Sequence, residues 1–354
     1  MRQAELLREL GAQPVVLAVD DEHHAEDRWR LAGAEIVLAP GAGPRALAFA
    51  PLLARRAVAA RLDLLHLHGV WHGTTLTAQR WAKATGRPLV ISPHGMFDPW
   101  ITGRRRWKKA LARALWERRG WQAAACFHAL TGGEAADIAR EAGPVPVTVV
   151  PNPAPAVSAA PPRPRPPMAL YLGRIHPKKN LPALVSGWRR ALPDLPPGAV
   201  LTIAGWGDEA GVAQLEQALG ADAPSIEVVG TAFGSQKAAL FDIARFAVLP
   251  SLSEGLPMAM LEAWAAGVPT VMSKACHLPE GFAAGAAIAC GEDADSIAAA
   301  LRQAFGQGES EWLAMARAAR ALAAGPFSPQ QVGARWLATY AGLLAGGEPQ
   351  FAQL

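Results

Sequence analysis

The sequence predicts two α/β domains, each a doubly wound sheet of parallel strands. Three observations predict this. The chain has 354 residues, more than one ordinary hydrophobic core accommodates. Short apolar runs alternate with helix-like segments in both halves, the pattern of right-handed crossovers between parallel strands. The alternation is interrupted once, by PNPAPAVSAAPPRPRPPM at 151–168. So dense a run of proline cannot form a helix and reads as a stiff extended linker. The expected division is a first domain at 1–150, the linker at 151–168, a second domain at 169–324, and a C-terminal helix at 325–354 that returns to the first.

RQAELLREL opens the chain as a helix with Leu6, Leu7 and Leu10 on its apolar face, stopped by Gly11. PVVLAV (14–19), AEIVLA (34–39), LDLLHLH (62–68) and RPLVISPH (87–94) are short buried strands, and VTVVP closes this half. After the linker, MALYLGR, AVLTIAGWG, IEVVG, FAVLP and VPTVM are the expected strands. Two such sheets facing each other make a cleft beyond the carboxyl ends of their strands, where open α/β sheets bind ligands.

Hydrophobic residues make up 51% and charged residues 18%, which fits a packed globular chain and excludes wholesale disorder. The net charge of +4 favours anionic partners, phosphates or a membrane surface. Cys126, Cys276 and Cys290 have neither disulfide nor zinc spacing, so a reducing cytoplasm is expected, with peripheral attachment to the inner face of the cytoplasmic membrane. MRQAELLREL lacks a secretory apolar region, and no apolar run reaches membrane-spanning length.

Three stretches carry chemistry. In PSLSEGLPMAMLEAWAAGVPTV, Glu254 lies in the loop before a helix and Glu262 on its second turn, with Pro257 in the first turn. Gly255 lets the loop turn tightly. Free N–H groups at the helix start and acceptor-only carboxylates suit a phosphorylated, hydroxyl-rich ligand. The same residues fit a helix cap and a solvated glutamate equally well. In YLGRIHPKKN, Arg174 and Lys179 follow a strand end. They suit a diphosphate, the guanidinium by a forked contact and the ammonium as a point charge. In VISPHGMFDPW, His94 ends a strand before Gly95, where it can donate to a reacting oxygen or bind a hydroxyl. LLHLHGVWHG places His66 and His68 on one strand face, followed by Gly69. No third ligand has the spacing for a metal.

Together, E-x7-E, LGRIHPKKN, SPHGM and VVPN resemble the retaining glycosyltransferases of the GT4 family (group 1), which have the GT-B fold. HLHGVW, SPHGMFDPW and GTAFGSQKAALF resemble its bacterial members that build exopolysaccharide, capsule or lipopolysaccharide. The resemblance covers nearly the whole chain. It implies that Arg174 and Lys179 grip the diphosphate of a nucleotide-sugar. Glu254, with the N–H groups near Gly255 and Leu256, would hold the donor sugar, and Glu262 the ribose. His94 would sit beside the transferred sugar and leaving phosphate, with His68 and Gly69 on the acceptor side. It implies no metal and no separate cofactor. Attack would come from the face the diphosphate leaves, so the anomeric configuration is retained.

The chain departs from the family pattern in three places. It opens at the first helix, without the family's first strand and Gly-rich loop. Pro153 stands where Gly is usual, which removes a backbone donor, and AAAC at 123–126 replaces charged residues. The missing strand motivates a second reading, a non-catalytic or truncated partner in a polysaccharide assembly complex. Finally, RRRWKKALARALWERR (104–119) holds eight Arg or Lys and one Glu. Helical spacing is expected to gather Trp107, Leu111, Leu115 and Trp116 on one broad face packed on the first domain. The charge suits an anionic membrane or a glycan acceptor on a lipid diphosphate. No nucleic-acid motif accompanies it.

Overall fold

A computed structural model describes residues 2–21, 33–221, 223 and 225–347. The chain divides into two compact units, Met1–Pro151 with Val332–Leu354, and Asn152–Gln331.

The described residues of unit 1 form six strands: β1 (Val15–Asp20), β2 (Glu35–Pro40), β3 (Leu65–His68), β4 (Leu89–Ser92), β5 (Cys126–Ala129) and β6 (Val147–Val149). They form two parallel sheets, β1 with β2, and β3-β4-β5-β6 in sequence order. Strands β4 and β5 are buried along their whole length, as expected where helices cover both faces of a parallel sheet. The main core gathers Trp81, Phe97, Trp121, Phe127 and Ile138 around them. The N-terminal helix Arg2–Glu9 buries Leu6 and Leu7 against Val150, Val332 and Trp336. The last two belong to the helix Pro329–Leu344.

Unit 2 is a single sheet of β7 (Met168–Leu172), β8 (Val200–Ala204), β9 (Ile226–Gly230), β10 (Phe246–Leu249), β11 (Thr270–Ser273) and β12 (Ala287–Cys290). Its order is β12-β11-β10-β7-β8-β9 and every pairing is parallel, a doubly wound sheet. The edge strand β12 reads AIAC, and alanine has little preference for strands, so the sequence pattern alone did not reveal it. Trp188, Trp264 and Trp312 are fully buried in this unit.

The proline-dense segment contains neither helix nor strand over 151–167, and its last residue, Met168, opens β7. It is fastened along unit 2. Arg165 donates to the carbonyls of Phe241, Ala244 and Ala266, while Arg320 donates to those of Ser158 and Ala160.

Candidate functional site

A doubly wound sheet has one place where neighbouring crossovers leave in opposite directions, and its crevice lies beyond the strands' carboxyl ends. In unit 2 that place is between β7 and β10. The loops leaving these two strands carry the LGRIHPKKN and PSLSEGLP motifs. They are tied together by Leu252 N–H donating to the Lys178 carbonyl at 2.8 Å. Asn180 Nδ2 donates to the carbonyls of Pro250 (3.2 Å) and Glu292 (2.7 Å). Asn180 itself is left-handed at φ 60°, a conformation asparagine tolerates well.

This bracing brings together two charges that lie far apart in sequence. Lys179 Nζ forms an ion pair with Glu254 Oε1, and Ser251 Oγ donates to the same oxygen at 2.6 Å. The pair is nearly dry, with side chains 13% and 7% exposed. Its partners are therefore matched in charge, and removing one strands the other in a poorly hydrated place. Glu262, on the helix Met258–Ala265, accepts from Lys237 Nζ at 2.8 Å. Pro257 occupies the N-cap, one position outside the first turn where the sequence placed it, and makes no side-chain cap. Leu256 beside it is buried, and Gly255 continues the loop from Glu254.

Arg174 is exposed just past β7. Its carbonyl accepts from Tyr171 Oη at 2.8 Å. Burial, and secondarily the charge of Glu254, push the Tyr171 phenol up, so it remains a protonated donor. At the ends of the adjoining strands β8 and β9 lie two aromatics to which the sequence reading gave no role, Trp206 (51% exposed) and Phe233 (61%). Their ring centroids are 5.5 Å apart. Gly205, before Trp206, has φ +154°, and a Cβ there would collide with the Gly173 carbonyl, so only glycine lets the loops leaving β7 and β8 close together. The signal for these aromatics was their place directly after strand ends, in AGWG and TAF. Lys237 was missed as well, because its partner is on another element.

In unit 1 the histidines of SPHGM and HLHG meet. His94 is left-handed at φ 53° and Gly95 at φ 75°, so the chain turns sharply off β4. Gly95 N–H donates to Glu134 Oε1 at 2.5 Å, and Leu130 N–H to Glu134 Oε2 at 2.8 Å, which holds the turn. His94 Nε2 lies 2.8 Å from His68 Nδ1, with the rings stacked. Gly69 follows His68 at φ 87°. Burial pushes the His94 imidazole down, and burial with the neighbouring His94 pushes His68 to about 3, so both are neutral near pH 7.

Behind them runs a hydrogen-bond chain whose direction follows from its ends. His128 Nε2 faces the Val150 carbonyl at 2.7 Å and must donate. His128 Nδ1 therefore accepts from Ser92 Oγ (2.6 Å), and Ser92 Oγ accepts from His66 Nε2 (2.5 Å). His66 Nδ1 then accepts from Tyr340 Oη (2.7 Å), which accepts from Gln3 Nε2 (3.1 Å). Every member is satisfied when both histidines are neutral. Burial lowers His66 and takes His128 to about 3. Among the described residues no group of three or more His, Cys, Asp or Glu side chains is arranged to hold a metal ion.

Trp107 departs from the expected packing. It is 68% exposed, with Leu111 at 51% and Leu115 at 56%. Trp116 does not share this exposed face. Its indole donates inward to Glu117 at 2.9 Å.

Known proteins share the fold and parts of the sequence. Residues 166–307 match the sequence profile of the family described as glycosyl transferases group 1, and residues 1–153 that of the glycosyl transferase 4-like domain. A curated relative, the O-antigen chain mannosyltransferase B of Escherichia coli, is 29% identical over 152 residues. That match takes in 42% of this chain and spans only 39% of the relative's length. Among solved structures, Anabaena Alr3699/HepE in complex with UDP and glucose superposes with a TM-score of 0.73 at 16% identity, covering 96% of this chain and 94% of its own. The sucrose-phosphate synthase of Thermosynechococcus elongatus gives 0.72 at 16% identity, covering 98% and 92%. At such identities the structures speak for the fold, and the two sequence profiles speak for the family. The chain belongs to the group 1 glycosyltransferases of the GT4 type and has their GT-B fold.

Proposed function

We propose that the chain moves a sugar from a nucleotide-sugar to a glycan or lipid-linked glycan of the cell envelope, retaining the anomeric configuration and without a metal. The observation that carries this is the meeting of Lys179 and Glu254 where β7 adjoins β10. A cation and a carboxylate held there serve the two ends of such a donor. The ammonium, with Arg174, takes the diphosphate and stabilises the charge that grows on it as the glycosidic bond breaks. Glu254 and the loop N–H groups at Gly255 and Leu256 take the sugar hydroxyls. Glu262 takes the ribose hydroxyls, and Trp206 with Phe233 offers ring faces to the base. His94 is assigned to the transferred sugar, and His68 with Gly69 to the acceptor.

The wider support comes from relatives. The HepE structure was obtained with UDP and glucose, and the E. coli relative is named for mannose transfer to O-antigen. The test is direct. The purified chain is incubated with UDP-, GDP- and ADP-sugars and lipid-linked acceptors, and the product linkage is read by NMR. Transfer from one donor class with an unchanged anomeric configuration is expected; inverted product or no transfer overturns the reading. The alternative, a non-catalytic assembly partner, has one observation on its side: β1 and β2 pair apart from β3-β4-β5-β6. It requires that no donor be consumed under any of these conditions.

A further inference from the structure

The segment after β4 presents a surface that the transfer reading leaves unused. It is α-helical over Arg106–Ala112, π-helical over Arg113–Glu117 and α-helical over Arg118–Gln122. Its inward side is anchored by Glu117, which is fully buried. That carboxylate accepts from Trp71 N–H (2.7 Å), Thr75 Oγ1 (3.1 Å), Trp116 Nε1 (2.9 Å) and Trp121 Nε1 (2.9 Å). Four donors saturate a carboxylate and fix how the helix is rotated.

The rotation turns Trp107, Leu111 and Leu115 outward as one stripe at i, i+4 and i+8. Exposed Arg104, Arg105, Arg106, Lys108, Arg118 and Arg119 surround it. The segment's single acid, Glu117, is the buried anchor, so its outer face carries one sign of charge. The Lys108 ammonium lies 5.4 Å from the Trp107 ring centroid, which places cation and indole at one level. Trp107 also lines a pocket of about 490 Å³, together with Thr102, Arg106, Lys109, Arg113 and Glu141. No helix among the described residues is long and apolar enough to cross a membrane.

We propose that this stripe and its ring of cations dock the chain onto an anionic lipid bilayer. The Trp107 indole would lie at headgroup level and Leu111 and Leu115 in the acyl boundary, with lipid phosphates against Arg104–Arg106 and Lys108. Charge complementarity selects this occupant: apolar contact buries the stripe, and an anionic surface matches a segment whose exposed charges are all cations. The inference stands on this face alone and does not depend on the transfer reading.

The test is cosedimentation of the full chain with phosphatidylcholine vesicles and with phosphatidylcholine–phosphatidylglycerol vesicles, at low and high salt. Binding to the mixed vesicles that weakens with salt is expected. Each cation at the surface contributes about fivefold in affinity, so Arg104→Glu/Arg105→Glu/Arg106→Glu should remove the preference for anionic lipid. Trp107→Ser/Leu111→Ser/Leu115→Ser should weaken binding roughly tenfold or more while the thermal transition persists. Absence of binding to mixed vesicles at low salt, equal binding to both vesicle types, or unchanged binding by the serine variant overturns the proposal. So does a serine variant that only converts a self-associated chain to monomer in sedimentation velocity, which would give the stripe to a second copy.

Discussion

The two units hold their polar groups at strand ends in opposite ways. In unit 2, Lys179–Glu254 and Lys237–Glu262 are ion pairs at the rim of the sheet. In unit 1, His66, Ser92 and His128 form a neutral chain running from Tyr340 to the Val150 carbonyl. An ion pair at a rim can exchange its partner for a charged ligand. A neutral chain with every donor and acceptor matched has nothing to exchange, and it ties strands to the helix Pro329–Leu344. The same α/β architecture thus separates a surface suited to binding from a scaffold suited to rigidity.

The largest effect that would break this contrast is at the ion pair. Lys179→Ala should lower sugar transfer by about 10²-fold or more. It should also cost about 3 kcal/mol of stability, because Glu254 is left charged and buried. Denaturant titration beside a transfer assay checks both, and near-normal turnover would remove Lys179 from the site.

Next is Ser92→Ala. It leaves His66 Nε2 without an acceptor and His128 Nδ1 without a donor, and should cost about 2–4 kcal/mol. Nucleotide affinity, measured by calorimetry, should not change.

The third effect is of pH. His66, His68, His94 and His128 are all lowered from the ordinary value of 6.5. Between the folded and unfolded values the unfolded chain binds more protons, so stability rises with pH. The contribution is complete above about 6.5 and, for His128, is lost as pH falls towards about 3. His128 alone should give roughly 1.4 kcal/mol per pH unit in that window. Glu117 and Glu134, raised by burial above 4.5, act with the opposite sign at pH values above 4.5. With four histidines against two glutamates, the melting temperature should fall on acidification from pH 7. A flat profile would contradict neutral histidines.

The smallest effect is Glu262→Ala, expected to weaken free-nucleotide binding by about tenfold, as the loss of one charged hydrogen bond does. An unchanged dissociation constant would remove Glu262 from the ribose site.

These residues also mark what a sequence reveals. The positions of Arg174, Lys179, Glu254 and His94 past strand ends were legible because each follows an apolar run. The pairing of Lys179 with Glu254 was not legible. It depends on β7 lying beside β10, a crossover set by strand order and not by local pattern. His66 and His68 could be read onto one strand face, but His128 needs Ser92 of the adjacent strand to acquire meaning. The basic segment was legible as an amphipathic helix, and its rotation was not. Burying Glu117 under four donors turns Trp116 inward and Trp107 outward, against simple apolar grouping.

The measurement that bears most directly on the central claim is the thermal stability of the purified chain against UDP-, GDP- and ADP-sugars and their free nucleotides. A ligand at about a hundred times its dissociation constant stabilises by roughly 2.7 kcal/mol. A rise selective for one base, abolished by Arg174→Ala, is the predicted result. A folded chain whose transition moves with none of them would contradict a nucleotide-sugar site in unit 2.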